Sequence, residues 1–132
     1  MKRLVLVFFF VLVSLGFNLE AASASEEIRL TSYETGIGLG CYGRCGYIAA
    51  TFKIKNISYQ KDVGIYFRLN DGEWHELPAY YVRPLESGFE EWKININVGE
   101  RGQRIEFVAR YEVAGRVYWD NNSFNNYLGN LF

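Results

Sequence analysis

The sequence predicts an all-β protein, an antiparallel sandwich of about seven to eight short strands. Apolar and polar residues alternate with a period of two along most of the chain, which is typical of strands with one buried and one wetted face. These segments recur at a spacing of about ten residues, and turn-forming residues separate them. No window carries the apolar stripe of an amphipathic helix. Because each sheet needs a partner to cover its apolar face, two layers are expected.

Four long segments carry the alternation most clearly. They are residues 48–55, 62–69, 92–98 and 105–112. Their apolar registers are predicted to bury five large rings: Phe52, Phe67, Trp92, Phe107 and Tyr111. Shorter candidate strands are residues 28–33, residues 116–119 and a last strand near Tyr127.

Turn residues fill the gaps between these strands. Asn70-Asp71-Gly72 and Ala114-Gly115 suit tight turns whose backbone needs a positive φ angle. The stretch from Gly99 to Gly102 interrupts the two strands around it. The sequence shows neither a linker nor an internal repeat, so one β-sandwich domain is expected.

The first 24 residues have the order of a secretory signal peptide. Met1-Lys2-Arg3 is positively charged, residues 4–15 form an apolar stretch, and Ala22-Ser23-Ala24 offers a cleavage site between small residues. The apolar stretch is too short to cross a bilayer comfortably. We therefore expect residues 1–24 to be removed and residues 25–132 to form a secreted or periplasmic domain that is free of the membrane.

Composition limits the functions that residues 25–132 can serve. Their 12 basic and 14 acidic side chains give a net charge near −2, which excludes a polybasic nucleic-acid binder. Their length is that of one domain and excludes a multidomain enzyme. They keep 19 of the 23 aromatic residues, which is more than a core of this size demands. Exposed rings are therefore expected, and these indicate a ligand.

The cysteines and the single histidine restrict the chemistry further. Cys41 and Cys45 flank a short glycine-rich loop, and in an exported protein such a pair predicts a disulfide. A zinc site would need two more ligands, of which only His75 could be a soft one, so no metal or cofactor is expected. His75 also has no catalytic motif around it, and no carboxylate pair sits in a recognisable glycosidase context. The sequence favours a protein that is not an enzyme.

Many aromatic residues lie outside the inward registers. They are Tyr59, Trp74, Tyr80, Tyr81, Phe89, Tyr118, Trp119, Phe124 and Tyr127. A sugar has an apolar C–H face and a rim of hydroxyls, so exposed rings flanked by amides or lysine fit it well. The stretch from Tyr118 to Tyr127 interleaves rings with amides, which predicts carbohydrate binding. The alternative is that these amides are turn residues and the rings belong to the core.

Two blocks of the sequence have a specific pattern of rings, amides and lysines. They are Lys55-Asn56-Ile57-Ser58-Tyr59-Gln60-Lys61-Asp62-Val63 and Tyr118-Trp119-Asp120-Asn121-Asn122. Together with residues 90–92 and 105–111 they resemble carbohydrate-binding module family 21, the starch- and glycogen-binding family of some fungal glucoamylases and phosphatase-targeting subunits. The resemblance covers about residues 28–128. It implies an immunoglobulin-like β-sandwich, in agreement with the alternation, and a non-catalytic role.

The resemblance also implies two α-glucan sites. The first would use the rings of Trp74 and Trp119. A third ring of that site falls at Val108 in this sequence, so the first site is expected to be shallower or weaker. The second would use six side chains: Asn56, Tyr59, Lys61, Tyr81, Phe89 and Asn121. For Lys61, the alternative is an ordinary solvated lysine at the start of a strand.

Two functions remain open at this point. One is an exported, non-catalytic module that binds α-1,4-glucan, with a separate amylolytic enzyme as a candidate partner. The other is a protein-interaction or structural sandwich that has lost sugar binding, which the missing ring at Val108 favours. Arg104-Ile105-Glu106-Phe107 fits a docking pattern of phosphatase-targeting subunits. Because this segment is predicted to lie in a core strand, phosphatase docking is not expected.

Overall fold

The computed structural model describes residues 25–132, which form two antiparallel β-sheets that enclose one core. The predicted all-β sandwich is therefore confirmed. The predicted signal peptide, residues 1–24, lies outside the described residues. Among the described residues, no helix is long and apolar enough to cross a membrane.

Nine strands make up the two sheets in this part of the chain. In chain order they are β1 (Ile28–Ile37), β2 (Cys45–Lys55), β3 (Lys61–Leu69), β4 (His75–Pro78), β5 (Tyr80–Pro84), β6 (Phe89–Glu100), β7 (Arg104–Val113), β8 (Arg116–Asp120) and β9 (Tyr127–Asn130). The first sheet has the order β1-β2-β6-β5. The second has the order β4-β3-β7-β8, and β9 also pairs with β7. One turn of 3₁₀ helix, Glu86–Gly88, joins β5 to β6.

The predicted number of strands is too low, because the alternation pattern does not indicate β4 and β5. Most residues of these two strands are exposed, so they have no regular buried register for the sequence to reveal. Each ends at a proline, Pro78 or Pro84. Proline cannot donate a ladder hydrogen bond and is confined to strand ends and edges, and β4 and β5 are edge strands of their sheets.

The core lies between the sheets and is filled by the predicted apolar registers. Phe52, Phe107 and Tyr111 are fully buried, and within residues 25–132 the buried core residues are all hydrophobic. Ile96 is an exception, since it follows the inward register of β6 but is 46% exposed. The reason is that β5 pairs with β6 only as far as Lys93, which leaves that edge of β6 uncovered around Ile96.

The turns follow the sequence closely. Asn70 and Asp71 have φ angles of 48° and 59° between β3 and β4. Ala114 and Gly115 have φ angles of 51° and 75° and make the tight hairpin between β7 and β8. The positive φ angles predicted for both turns are confirmed.

The loop between β1 and β2 is closed by a disulfide. Cys41 and Cys45 are bonded, with their Cα atoms 5.9 Å apart, so the predicted pairing is confirmed. At the base of the loop the Gly38 N–H donates to the Cys45 carbonyl at 2.8 Å. Within the described residues, no group of three possible metal ligands lies together.

Two side-chain hydrogen bonds join the two sheets. The hydroxyl of buried Tyr111, on β7, donates to the Lys55 carbonyl on β2 at 2.7 Å. The Leu30 N–H, on β1, donates to the Asp120 carboxylate at the end of β8 at 2.8 Å. Both bonds connect strands of different sheets, so they fix how the layers are placed relative to each other.

We expect Tyr111→Phe to lower the free energy of unfolding by about 1–2 kcal/mol, because the Lys55 carbonyl loses its donor in a poorly solvated place. Urea denaturation measures this change. Tyr118→Phe is the matched control, since its ring packs on Tyr111 but its hydroxyl makes no hydrogen bond within residues 25–132. Equal stability of the two variants would contradict the importance of the Tyr111 bond.

Candidate functional site

A groove of about 980 Å³ lies at the end of the sandwich where β2 leads into β3. We call it the end groove and define it by its lining, which comes from both sheets: Asn56, Tyr59, Gln60, Lys61, Asp62, Tyr81, Glu90, Trp92, Glu112, Val113 and Ala114. The structure thus brings together four of the six residues predicted for the second site, namely Asn56, Tyr59, Lys61 and Tyr81.

Lys61 is the centre of a polar network in the end groove. Its ammonium donates to Asn56 Oδ1 at 2.6 Å and to Glu90 Oε1 at 2.7 Å. Trp92 Nε1 donates to the same Glu90 oxygen at 3.3 Å. The side chain of Lys61 is only 4% exposed and that of Glu90 15%, so Lys61 is not an ordinary solvated lysine. Because Oδ1 of Asn56 accepts from Lys61, its two amide N–H groups remain to face a ligand.

Aromatic rings form the apolar part of the end groove. Tyr59, on the loop between β2 and β3, is 97% exposed. Tyr81 is 48% exposed and meets the half-buried ring of Trp92 edge to face, with centroids 5.9 Å apart. The groove therefore combines an open ring surface with a fixed set of polar groups, which is what a sugar requires.

Phe89 does not line the end groove. It is the first residue of β6 and pairs with Lys55, so its side chain belongs to the outer face of the first sheet. The Lys53 ammonium lies 4.4 Å from the centre of its ring. The resemblance implies a place for Phe89 in the second site, but the strand register turns its side chain away from the end groove.

Asn121 does not line the end groove either. It follows the Asp120–Ala109 pair at the end of β8, whereas the groove lies at the opposite end of β8, near Val113. The two ends are about 13 Å apart along the strand. Its Oδ1 accepts a hydrogen bond from the Phe124 N–H at 3.1 Å within the β8–β9 loop. The structure therefore does not bring Asn121 together with the other residues predicted for the second site, and places it two residues after Trp119 at the far end of β8.

The outer face of the second sheet forms another aromatic surface. We call it the ring face and define it by Tyr66, Arg68, Trp74, Val108, Arg110 and Trp119, which share the outward register of β3, β7 and β8 or adjoin it. Trp74 is 43% exposed, with the Arg68 guanidinium 5.0 Å from its ring centre. Trp119 pairs with Arg110 across β7 and β8. Both rings predicted for the first site are on this face.

The two predicted rings do not meet on the ring face. Trp119 lies on β8, opposite Arg110 and in line with Gly64 of β3. Trp74 precedes β4 at the level of Arg68, four residues further along β3. Three strand spacings and four residues separate them, which is about 19 Å between Cα atoms. Trp74 and Trp119 are therefore opposite corners of the face.

Tyr66 lies between these corners, and sequence analysis did not select it. Its ring stacks on Trp119 with centroids 5.5 Å apart and planes at 23°. Its partner across the β3–β7 ladder is Val108. The sequence does contain an indication of Tyr66. It lies in the solvent-facing register of β3, where an aromatic side chain does not contribute to the core.

Polar groups hold the rings of this face in place. The Tyr66 hydroxyl donates to the Glu76 carboxylate on β4. This bond raises the pKa of the Tyr66 phenol above its ordinary value, since ionisation would break it and bring two negative charges together. The Arg110 guanidinium lies 5.4 Å from the Tyr66 ring centre and 5.8 Å from that of Trp119.

Both arginines of the ring face are paired with acids. Arg68 Nη2 lies 3.1 Å from Glu106, and Arg110 Nη2 lies 2.7 Å from Glu112. The positive charge among the rings is therefore neutralised locally. Such a surface favours a neutral, hydroxyl-bearing ligand over an anion.

Residues 38–129 match the family described as carbohydrate/starch-binding module (family 21). The chain belongs to this family. The resemblance predicted from the two sequence blocks is confirmed. A family 21 module is a binding domain, and the two aromatic surfaces described above lie within the matched residues.

Similar proteins include a glucoamylase and a regulatory subunit of a protein phosphatase. The chain is 30% identical to Glucoamylase 1 of Rhizopus oryzae over 91% of its own length and 19% of that protein. It is 33% identical to Protein phosphatase 1 regulatory subunit 3B of Homo sapiens over 61% of its own length and 30% of that protein. The chain thus spans about a fifth to a third of these relatives.

Solved structures give the same fold. The starch-binding domain of Rhizopus oryzae glucoamylase, in complex with β-cyclodextrin and maltoheptaose, has a TM-score of 0.62 and 27% identity. The match covers 79% of this chain and 92% of that domain. The carbohydrate-binding module of the muscle glycogen-targeting subunit of Protein Phosphatase-1 has a TM-score of 0.59 at 23% identity, covering 86% and 79% of the two chains.

The segment that fits a phosphatase-docking pattern is part of the core. Ile105 and Phe107 are 1% and 0% exposed on β7. This strand has ladder partners on both sides, so its backbone is also occupied. The segment could reach a partner only if the sandwich opened.

Replacing Lys61 with Met is expected to lower the free energy of unfolding by about 2–3 kcal/mol, since Glu90 would keep its charge without its partner. Lys61→Met/Glu90→Gln should lose less than the sum of the single variants, because the two groups stabilise each other. Arg83→Met is a control at an exposed pair with Glu91, where about 0–1 kcal/mol is expected. Additive losses at Lys61 and Glu90 in chemical denaturation would contradict the coupling.

Proposed function

We propose that this chain is an exported, non-catalytic module that binds α-1,4-glucan in the form of starch, glycogen or maltooligosaccharides. The observation that carries the proposal is the pair of exposed aromatic surfaces on a family 21 sandwich, the end groove and the ring face. The glucan-bound starch-binding domain that shares the fold supports this choice of ligand.

The end groove has the groups that a glucose residue needs. Tyr59 offers an exposed ring to an apolar sugar face, and Tyr81 offers a second ring beside it. Asn56 can donate its amide N–H groups to hydroxyls. Lys61 acts mainly by holding Asn56 and Glu90 in position, because its ammonium already donates to both.

The ring face offers a flatter surface for the same ligand. Trp74 is exposed and Trp119 is half-buried. The arginines beside them are paired with acids, so the surface has no strong preference for a charged ligand. Shallow aromatic surfaces give affinities from about micromolar to millimolar, or about −8 to −4 kcal/mol. A module of this kind holds its carrier on a polymer or delivers glucan to a separate amylolytic enzyme.

Affinity electrophoresis with soluble starch in the gel tests this function. The purified protein should be retarded, and Tyr59→Ala and Trp119→Ala should each reduce the retardation by removing one stacking surface. Tyr42→Ala is the control, because Tyr42 is 98% exposed but lies on the disulfide loop, away from both surfaces.

Equal migration of the unaltered protein with and without starch would contradict glucan binding. That result, together with capture of a defined protein partner, would favour the protein-interaction sandwich instead. Release of reducing sugar from glucan by the pure protein would contradict the non-catalytic assignment.

Export is a separate prediction. In a secreting host the protein should appear outside the cytoplasm without residues 1–24, because a charged start, an apolar stretch and small residues at positions 22–24 direct cleavage. Intact-mass measurement of the exported protein identifies its first residue. An unprocessed cytoplasmic chain would contradict the signal peptide and leave glucan binding unaffected.

A further inference from the structure

Tyr66 and Val108 occupy the same place on the ring face from two neighbouring strands. They are direct partners in the β3–β7 ladder, and both point outward. Side chains that pair in this way have Cβ atoms about 4.5–5.5 Å apart, so a ring on either strand can cover the same area of the sheet. In this chain the ring comes from β3.

Tyr66 also lies in the gap between the two tryptophans of the ring face. Trp119 and Trp74 are about 19 Å apart at their Cα atoms, which is too far for one sugar residue to touch both. Tyr66 is in the row of residues between them and already stacks on Trp119. The three rings follow a diagonal across the face, with Tyr66 at its centre.

The ring of Tyr66 is held before any ligand arrives. Its hydroxyl donates to Glu76, and the Arg110 guanidinium approaches the ring from β7. A ring that is fixed in this way loses little freedom when a ligand stacks on it.

A shallow groove of about 430 Å³ lies on the same sheet, and its lining includes Glu76, the hydrogen-bond partner of Tyr66. Gly64, between Arg110 and Pro78 in the ladder, also lines it and allows β4 to approach closely. Glu76, Glu112 and Arg110 line it. Carboxylates accept and the guanidinium donates, so sugar hydroxyls at the edge of the ring would find both kinds of partner.

We propose that Tyr66 is the central contact of the α-glucan site on the ring face, supplying from β3 the ring that β7 lacks at Val108. This inference rests on the proposed function. It predicts a working site on this face in spite of Val108. It also predicts that long maltooligosaccharides gain more from the face than short ones, because only they reach from Trp119 past Tyr66 to Trp74.

Calorimetric titration with maltoheptaose in a Tyr59→Ala background isolates the ring face from the end groove. Tyr66→Val in that background should weaken binding about five- to tenfold, the loss of one stacked ring. Adding Val108→Tyr should restore most of the affinity, because the ring returns to the same area from the other strand. Maltose should show a smaller loss than maltoheptaose on Tyr66→Val.

Tyr47→Val is the matched control. Tyr47 also projects from a strand and donates its hydroxyl to a carboxylate, that of Glu34 at 3.1 Å, but it lies on the other sheet. It should leave the affinity unchanged. Urea denaturation of both variants checks that any loss comes from the missing ring and not from unfolding.

The outcomes separate this inference from the function on which it rests. If Tyr66→Val keeps the parent affinity while Trp119→Ala loses it, the role of Tyr66 is wrong and glucan binding stands. If Val108→Tyr fails to restore a loss caused by Tyr66→Val, the equivalence of the two positions is wrong. If neither the unaltered protein nor the Tyr59→Ala background binds maltoheptaose, both proposals fail.

Discussion

The register of β7 is the constraint on which the rest of the structure depends. This strand pairs with β3 on one side and with β8 and β9 on the other. Its odd-numbered residues, such as Phe107 and Tyr111, fill the core, and its even-numbered residues face outward among the rings. A slip of one residue would exchange these sets, burying Arg110 and exposing Phe107. The same ladder therefore fixes both the core and the ring face. The hydrogen bond from the Tyr111 hydroxyl to the Lys55 carbonyl fixes the position of β7 relative to the other sheet.

The end groove depends on the ion pair between Lys61 and Glu90. Where the apolar core ends, the next inward-facing positions carry Lys61 and Glu90, and their charges meet at 2.7 Å. Removing such a pair from water costs free energy that the mutual attraction only partly offsets, so its value lies in fixing neighbours as much as in stability. Asn56 and Trp92 take their positions from this pair. The polar floor of the groove is thus built by the same groups that end the core.

Much of this organisation is readable from the sequence, for physical reasons. Alternation reports burial, so strands with one buried face, such as β2, β3 and β7, are predicted well. Exposed edge strands have no such contrast, and β4 and β5 are missed for that reason. Site residues on the β2–β3 loop are close in sequence and remain close in space. Phe89 and Asn121 are far from this loop in sequence, and strand pairing, which one sequence does not state, decides where they lie. It turns the Phe89 side chain to the outer face and places Asn121 at the opposite end of β8.

The same limit explains why Val108 suggests a weakened surface. A sequence comparison considers one position at a time, so it registers the missing ring at Val108. A ligand, however, contacts a surface that is built from several strands. In an antiparallel ladder the direct partner of a residue is its nearest neighbour on that face, although the two are far apart in the chain. Val108 and Tyr66 are 42 positions apart in the sequence and adjacent on the sheet. Whether an aromatic surface is complete is therefore a property of the ladder, and the stacked pair of Tyr66 and Trp119 gives this one a continuous centre.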